Sequence, residues 1–151
     1  MNAQELLIHL TEGQMKSLFR AARSLPADKL AWKPAPGARS ALDQLQEVAT
    51  ALDQFWAIYT ERKIDFDEAK FAKWVEDRSK ITSLDELERL TNEGTKKLCD
   101  FIRTVPDSAW TEPVQLPFPG EFTMADVLAY HYWNASYHEG QINYIGSLLA
   151  E

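Results

Sequence analysis

The chain has a single cysteine in 151 residues, Cys99, so no intramolecular disulfide can form and the fold must rest on packing alone. Cys99 falls in an apolar helical stretch, LCDFI, which reads as a reduced, buried thiol with no neighbouring base or cation to activate it. A free thiol of this kind suits a reducing compartment. No apolar run reaches the ~18 residues of a membrane span, and the opening MNAQELLIHLTEG has no basic leader. These absences predict a cytoplasmic protein with no membrane partner. Positive charge is also in deficit: 16 Lys and Arg face 23 Asp and Glu, for a formal net charge of −7, and the basic residues are scattered. On charge alone, nucleic acid is not an expected partner. Gly-rich phosphate loops, Gly-x-Ser-x-Gly elbows, Cys-x-x-Cys pairs, internal repeats and low-complexity tracts are all missing.

What the chain does have is helical periodicity. Between residues 3 and 24, Ala3, Leu6, Leu7, Leu10, Gln14, Leu18 and Ala21 recur at three- and four-residue steps, which winds them onto one stripe. Pro26 ends that helix, and LPADKLAWKPAPGARS forms a loop up to Ser40. Ser40 with Asp43 starts a second helix, whose apolar face is Leu42, Leu45, Val48, Ala49, Leu52, Phe55, Trp56 and Tyr59. From Ile64 to Thr82 a crossover with a short helix is predicted to pack Phe66, Phe71 and Trp74 onto the bundle end. Ser83 with Glu86 caps a third helix, striped by Leu84, Leu87, Thr91, Gly94, Leu98, Phe101 and Val105 and stopped by Pro106. The segment PDSAWTEPVQLPFPGEF holds four prolines and must be a loop, tied down by Trp110, Phe118 and Phe122. Thr123 with Asp126 caps a fourth helix that runs to about Leu149. No period-two run bounded by hairpin signals occurs. The expected fold is all-α: one domain over residues 1–151, a four-helix bundle whose long connections permit an order other than up-and-down.

The fourth helix is unusual. At 100° per residue, Met124, Val127, His131, Asn134, His138, Ile142, Ile145 and Leu149 lie within about 50° of one direction, so three polar residues occupy the middle of the buried seam. Gln14, Gln44, Thr91 and Gly94 interrupt the other stripes, which suggests a polar pocket in the bundle. Such histidines are either neutral core imidazoles paired with Gln14, Gln44 or tyrosine hydroxyls, or members of a metal or catalytic site built from inward-pointing groups three and four residues apart.

Two segments, WKPAPGARSALDQLQEVA (32–49) and YHEGQINYIGSLL (137–149), resemble the DinB/YfiT-like superfamily of bacterial four-helix bundles, the second matching its His-x-Gly-Gln-Ile signature. The likeness covers nearly the whole chain. It implies a homodimer and a divalent metal, zinc or nickel, held by three histidines. Carried over position by position, these ligands fall on Glu47, Asn134 and His138, of which only His138 is a histidine, and His131 stands one turn before Asn134 as a substitute ligand. Glu47 lies at the flank of its helix stripe, where an exposed glutamate is expected.

Two functional readings follow. In the favoured one the metal site is degenerate, and the protein is a metal-free binder of a small molecule in the bundle pocket, or a dimer in which the polar layer specifies packing. In the alternative it is a divalent-metal-dependent transferase or hydrolase acting on a small thiol or thiol adduct, with Glu47 and Asn134 or His131 completing the sphere around His138. Most of the five tryptophans are expected to fill the core; Trp133, about 120° off the seam, faces another helix or a second subunit.

Overall fold

A computed structural model describes residues 1–150. It contains α1 (Ala3–Ser24), α2 (Ala41–Gln54), the short α3 (Trp56–Glu61), α4 (Glu68–Ser79), α5 (Leu84–Thr104) and α6 (Met124–Leu149). The long helices start where their caps are written. The Ser40 hydroxyl accepts from the Asp43 N–H and that of Ser83 from the Glu86 N–H, while Thr123 donates its N–H and hydroxyl to the Asp126 carboxylate. Asn2 and Glu5 form a reciprocal box at α1. Each cap contributes about 1 kcal/mol by satisfying amides that would otherwise have no partner.

Around the bundle, α1 packs on α6, α6 on α2, α2 on α5 and α5 on α1. Helices consecutive in the chain, α1 with α2 and α5 with α6, therefore stand on diagonals. That order requires the long connections seen in the sequence. Among the described residues, no helix is long and apolar enough to cross a membrane. The core has two apolar halves. One gathers Met15, Phe19, Leu45, Leu87 and Ile142; the other gathers Ile8, Leu98, Ile102, Met124 and Leu128. Between them lies a polar waist of Thr11, Thr91, Thr95, His131 and Asn134.

Several expectations needed correction. Phe66, Phe71 and Phe118, expected to pack inward, are exposed, and only Trp74 of the crossover aromatics is buried. The buried stripe of α1 runs through Leu7, Ile8, Thr11, Met15, Leu18, Phe19, Ala21 and Ala22; Leu7, Leu18 and Ala21 are inward as expected, while Leu6 and Leu10 are exposed. Both sets obey the helical period, and the inward one places Met15 and Phe19 in the core. The second helix breaks at Phe55, whose N–H closes α2 on the Ala51 carbonyl while its own carbonyl accepts from Ile58 and opens α3. The Pro-rich loop contains a two-residue antiparallel pair, β1 (Pro113–Val114) with β2 (Phe122–Thr123), too short to leave a periodic signal.

Candidate functional site

Glu47 is the centre of the site. On the inner flank of α2 it meets the seam of α6, and its Oε1 lies 3.1 Å from His138 Nε2 and accepts from Asn134 Nδ2 at 3.3 Å. Its Oε2 accepts from Arg39 Nη1 at 2.6 Å and sits 3.6 Å from Arg78 Nη1. Only 18% of the side chain is exposed, so the expectation of an outward glutamate is corrected. Burial works against its charge. The hydrogen bond from His138 and the charge and hydrogen bond of Arg39 outweigh that penalty and hold the carboxyl at about 2.

An ionised carboxylate can only accept, so in a hydrogen bond between the two groups His138 Nε2 is the donor and Glu47 Oε1 the acceptor. Gln44 and Gln141 face the other ring nitrogen, with side-chain oxygens 2.8 and 3.2 Å from Nδ1. The ring is buried and clamped on both edges. Gln14, the alternative partner named from sequence, instead donates to Glu139.

The two arginines come from different elements. Arg39, in the loop before α2, also donates from Nε to Asp43 Oδ2 at 2.5 Å. Arg78 arrives from the crossover helix α4 and donates to Asp43 Oδ1 at 3.0 Å. Its guanidinium carbon lies 4.4 Å over the Trp74 ring, and Trp74 is pinned by its indole N–H donating to Thr50 at 2.8 Å. Gln46 adds a second anchor, donating to the Ile81 and Ser79 carbonyls at the end of α4. Neither arginine stood out in the sequence. The usable signal was Trp74 with Arg78, four residues apart and hence on one helix face.

His131 shares no hydrogen bond with this cluster among the described residues. It lies in the waist with Nε2 3.1 Å from the Thr95 hydroxyl, and burial lowers its pKa to about 4. Thr11 and Thr91 satisfy their own hydroxyls on the Leu7 and Leu87 carbonyls. Depressions of about 480 and 400 Å³ lie elsewhere on the surface, the first beside Lys16, Arg20 and Glu88, the second beside Asn2, His9 and Arg103. Next to the Glu47 cluster, the outer face of α6 carries an exposed aromatic ladder: Tyr130, Trp133 and Tyr137, with successive centroids 5.7 Å apart. Tyr137 also meets the His138 ring edge-on at 5.5 Å. Cys99 is buried and its thiol is pushed up to about 11, chiefly by burial, which leaves it unreactive.

The sequence reading placed Glu47, Asn134 and His138 at one site, and here they converge. The donor set does not fit a divalent ion. His138 is the one imidazole in the set, its neighbour on the same helix is a neutral amide, and both carboxylate oxygens are engaged by protein cations or donors. Among the described residues, no group of three His, Cys, Asp or Glu side chains is arranged to hold a metal.

Comparison with known proteins agrees with this architecture. The pattern of the DinB superfamily matches residues 9–142. No curated protein matches the chain in sequence. Among solved structures, YfiT from Bacillus subtilis, described as a probable metal-dependent hydrolase with an unusual four-helix bundle topology, superposes with a TM-score of 0.78 at 14% identity, covering 99% of this chain and 90% of that one. The mycothiol-dependent maleylpyruvate isomerase gives 0.68 at 12% identity, covering 93% of this chain and 61% of that one. The colibactin self-resistance protein ClbS, solved in complex with dsDNA, gives 0.68 at 14% identity and covers 95% of each. This last finding overturns the exclusion of nucleic acid. A protein of this fold holds duplex DNA, and a net charge summed over the whole surface does not describe the local patch that meets a phosphate.

Proposed function

The chain belongs to the DinB superfamily, and from that premise we propose that it is a metal-independent member that binds a small molecule at the Glu47–His138 cluster. One observation carries the reading: the carboxylate that would face a metal is already neutralised and hydrogen-bonded by His138, Asn134 and Arg39. The Arg39 side chain is 37% exposed, and the aromatic ladder of Tyr130, Trp133 and Tyr137 borders the cluster. A ligand with a flat apolar part suits such a border, since the rings offer stacking faces. A divalent-metal-dependent transferase or hydrolase acting on a small thiol or thiol adduct is the second reading, favoured by the convergence of Glu47, Asn134 and His138; it requires Arg39 to release Glu47.

The test is metal content. Untagged protein prepared without chelator is expected to contain essentially no transition metal by elemental mass spectrometry, and to take up none from excess zinc or nickel. Near-stoichiometric metal that disappears in His138→Ala would overturn the metal-independent reading and leave the second to be tested by thiol-transfer and hydrolase assays.

A further inference from the structure

Asp43 and Glu47 stand one turn apart on α2 and are spanned by guanidinium groups from two different elements. Arg39 bridges Asp43 Oδ2 at 2.5 Å and Glu47 Oε2 at 2.6 Å. Arg78 bridges Asp43 Oδ1 at 3.0 Å and Glu47 Oε2 at 3.6 Å. Two carboxylates thus face two unit positive charges, the charge that one divalent ion would bring. Resting on the metal-independent reading above, we propose that Arg39 and Arg78 take the electrostatic place of a divalent metal ion beside Glu47, so that the protein's own cations close this site to metal. The lack of a histidine at position 134 is then only part of the reason.

Arg78 is not placed there by ordinary hydrogen-bonding needs. Only 7% of it is exposed, and among the described residues its Nε and Nη1 have no acceptor. Unmet buried donors cost stability, and an aliphatic side chain over Trp74 would avoid that cost. What an aliphatic chain cannot supply is a fixed positive charge. Burial pulls the Arg78 pKa down, while Asp43 and Glu47 favour its charged form. The Trp74 ring, held by Thr50, and the Gln46 contacts to the end of α4 keep this charge beside the carboxylates. A metal ion entering between Glu47 and His138 would face both guanidinium groups where solvent screens little.

Replacing the missing ligand alone should therefore fail. Asn134→His is expected to leave the protein unable to take zinc from a chromophoric chelator. Adding Arg39→Gln and Arg78→Met to it is expected to give about one zinc per chain, bound at least about 100-fold more tightly than by Asn134→His alone. Far-UV circular dichroism and a thermal melt verify the fold of each variant. Equal zinc affinity in the single and triple variants, or a folded triple variant with no gain, overturns the proposal. Should the triple variant not fold, Asn134→His with Arg39→Gln is read in the same way, because Arg39 is partly exposed; a gain of about tenfold is expected, and no gain overturns the proposal. Stoichiometric zinc in the unaltered protein overturns both this proposal and the metal-independent reading, whereas equal affinities among the variants overturn only the role given to the arginines.

Discussion

His131 and His138 lie two turns apart on the same face of α6, and each is only 2% exposed. His131 sits between two apolar halves of the core with a threonine hydroxyl as its hydrogen-bond partner, in surroundings that keep it neutral. His138, equally buried, faces an ionised carboxylate that is itself held by Arg39. Burial and helix position are the same for both rings, so neither decides what a core histidine does. The partner does. A hydroxyl lets the waist behave as a polar variant of hydrophobic core, while a carboxylate turns the His138 layer into a charge network that is costly to leave half-made.

The largest effect expected from this contrast is in Glu47→Leu, which leaves Arg39 and Arg78 short of a counter-charge and should cost about 3 kcal/mol in urea unfolding, an order-of-magnitude figure for breaking a largely buried ion network. Removing the waist pair together, His131→Leu with Thr95→Val, takes out both partners and should cost under about 1 kcal/mol. A waist variant as damaging as the Glu47 one would break the comparison.

Acidity separates the two layers next. For His131 the folded pKa of about 4 lies below its ordinary 6.5, so between those values the unfolded chain binds a proton that the folded chain does not. Its contribution is complete above pH 6.5 and is lost as pH falls toward 4, by up to about 3 kcal/mol. Glu47 is depressed from 4.5 to about 2, so its contribution is complete above pH 4.5 and is lost as pH falls through about 2. Its partial exposure reduces that share to about 2 kcal/mol. Urea midpoints followed against pH should show two descending limbs. His131→Gln should flatten the limb between pH 6.5 and 4, and Glu47→Gln the one below 4.5. A single limb that neither variant alters would sink the assignment.

The same contrast explains what could be read from the chain. The α6 seam was legible because it depends on a local period: Met124, Val127, His131, Asn134, His138, Ile142 and Ile145 are all buried as the 100° step requires. The caps at Ser40, Ser83 and Thr123 were legible because their partners lie three residues away. The phase of α1 was legible only in part: Leu7, Leu18 and Ala21 are buried as read, but Leu6 and Leu10 fit the period as well as Ile8 and Phe19 do. Only packing against other helices separates the two sets. Glu47 was recognised as a position, but its burial was missed because its neighbours come from residues 39, 78, 134 and 138. Arg78 was the least visible, because an arginine in a charged crossover looks solvated until Trp74, Thr50 and Gln46 bring α4 onto α2.

The intermediate case is Asn134→Ala, where a buried amide with a long 3.3 Å contact to Glu47 is lost while His138 and Arg39 remain on the carboxylate; about 1 kcal/mol is expected. The smallest effect should come from the ladder outside. Trp133 is 56% exposed and stacks on Tyr137 with an interplanar angle of 18°, but both rings border solvent. Trp133→Ala therefore removes a contact the unfolded chain can largely replace with water. The change should be within about 0.5 kcal/mol, which for a chain of this size moves the melting midpoint by about 2 °C at most. A larger fall would mean that the ladder contributes to the core, and the division between a charged interior layer and an aromatic rim free for ligand would have to be redrawn.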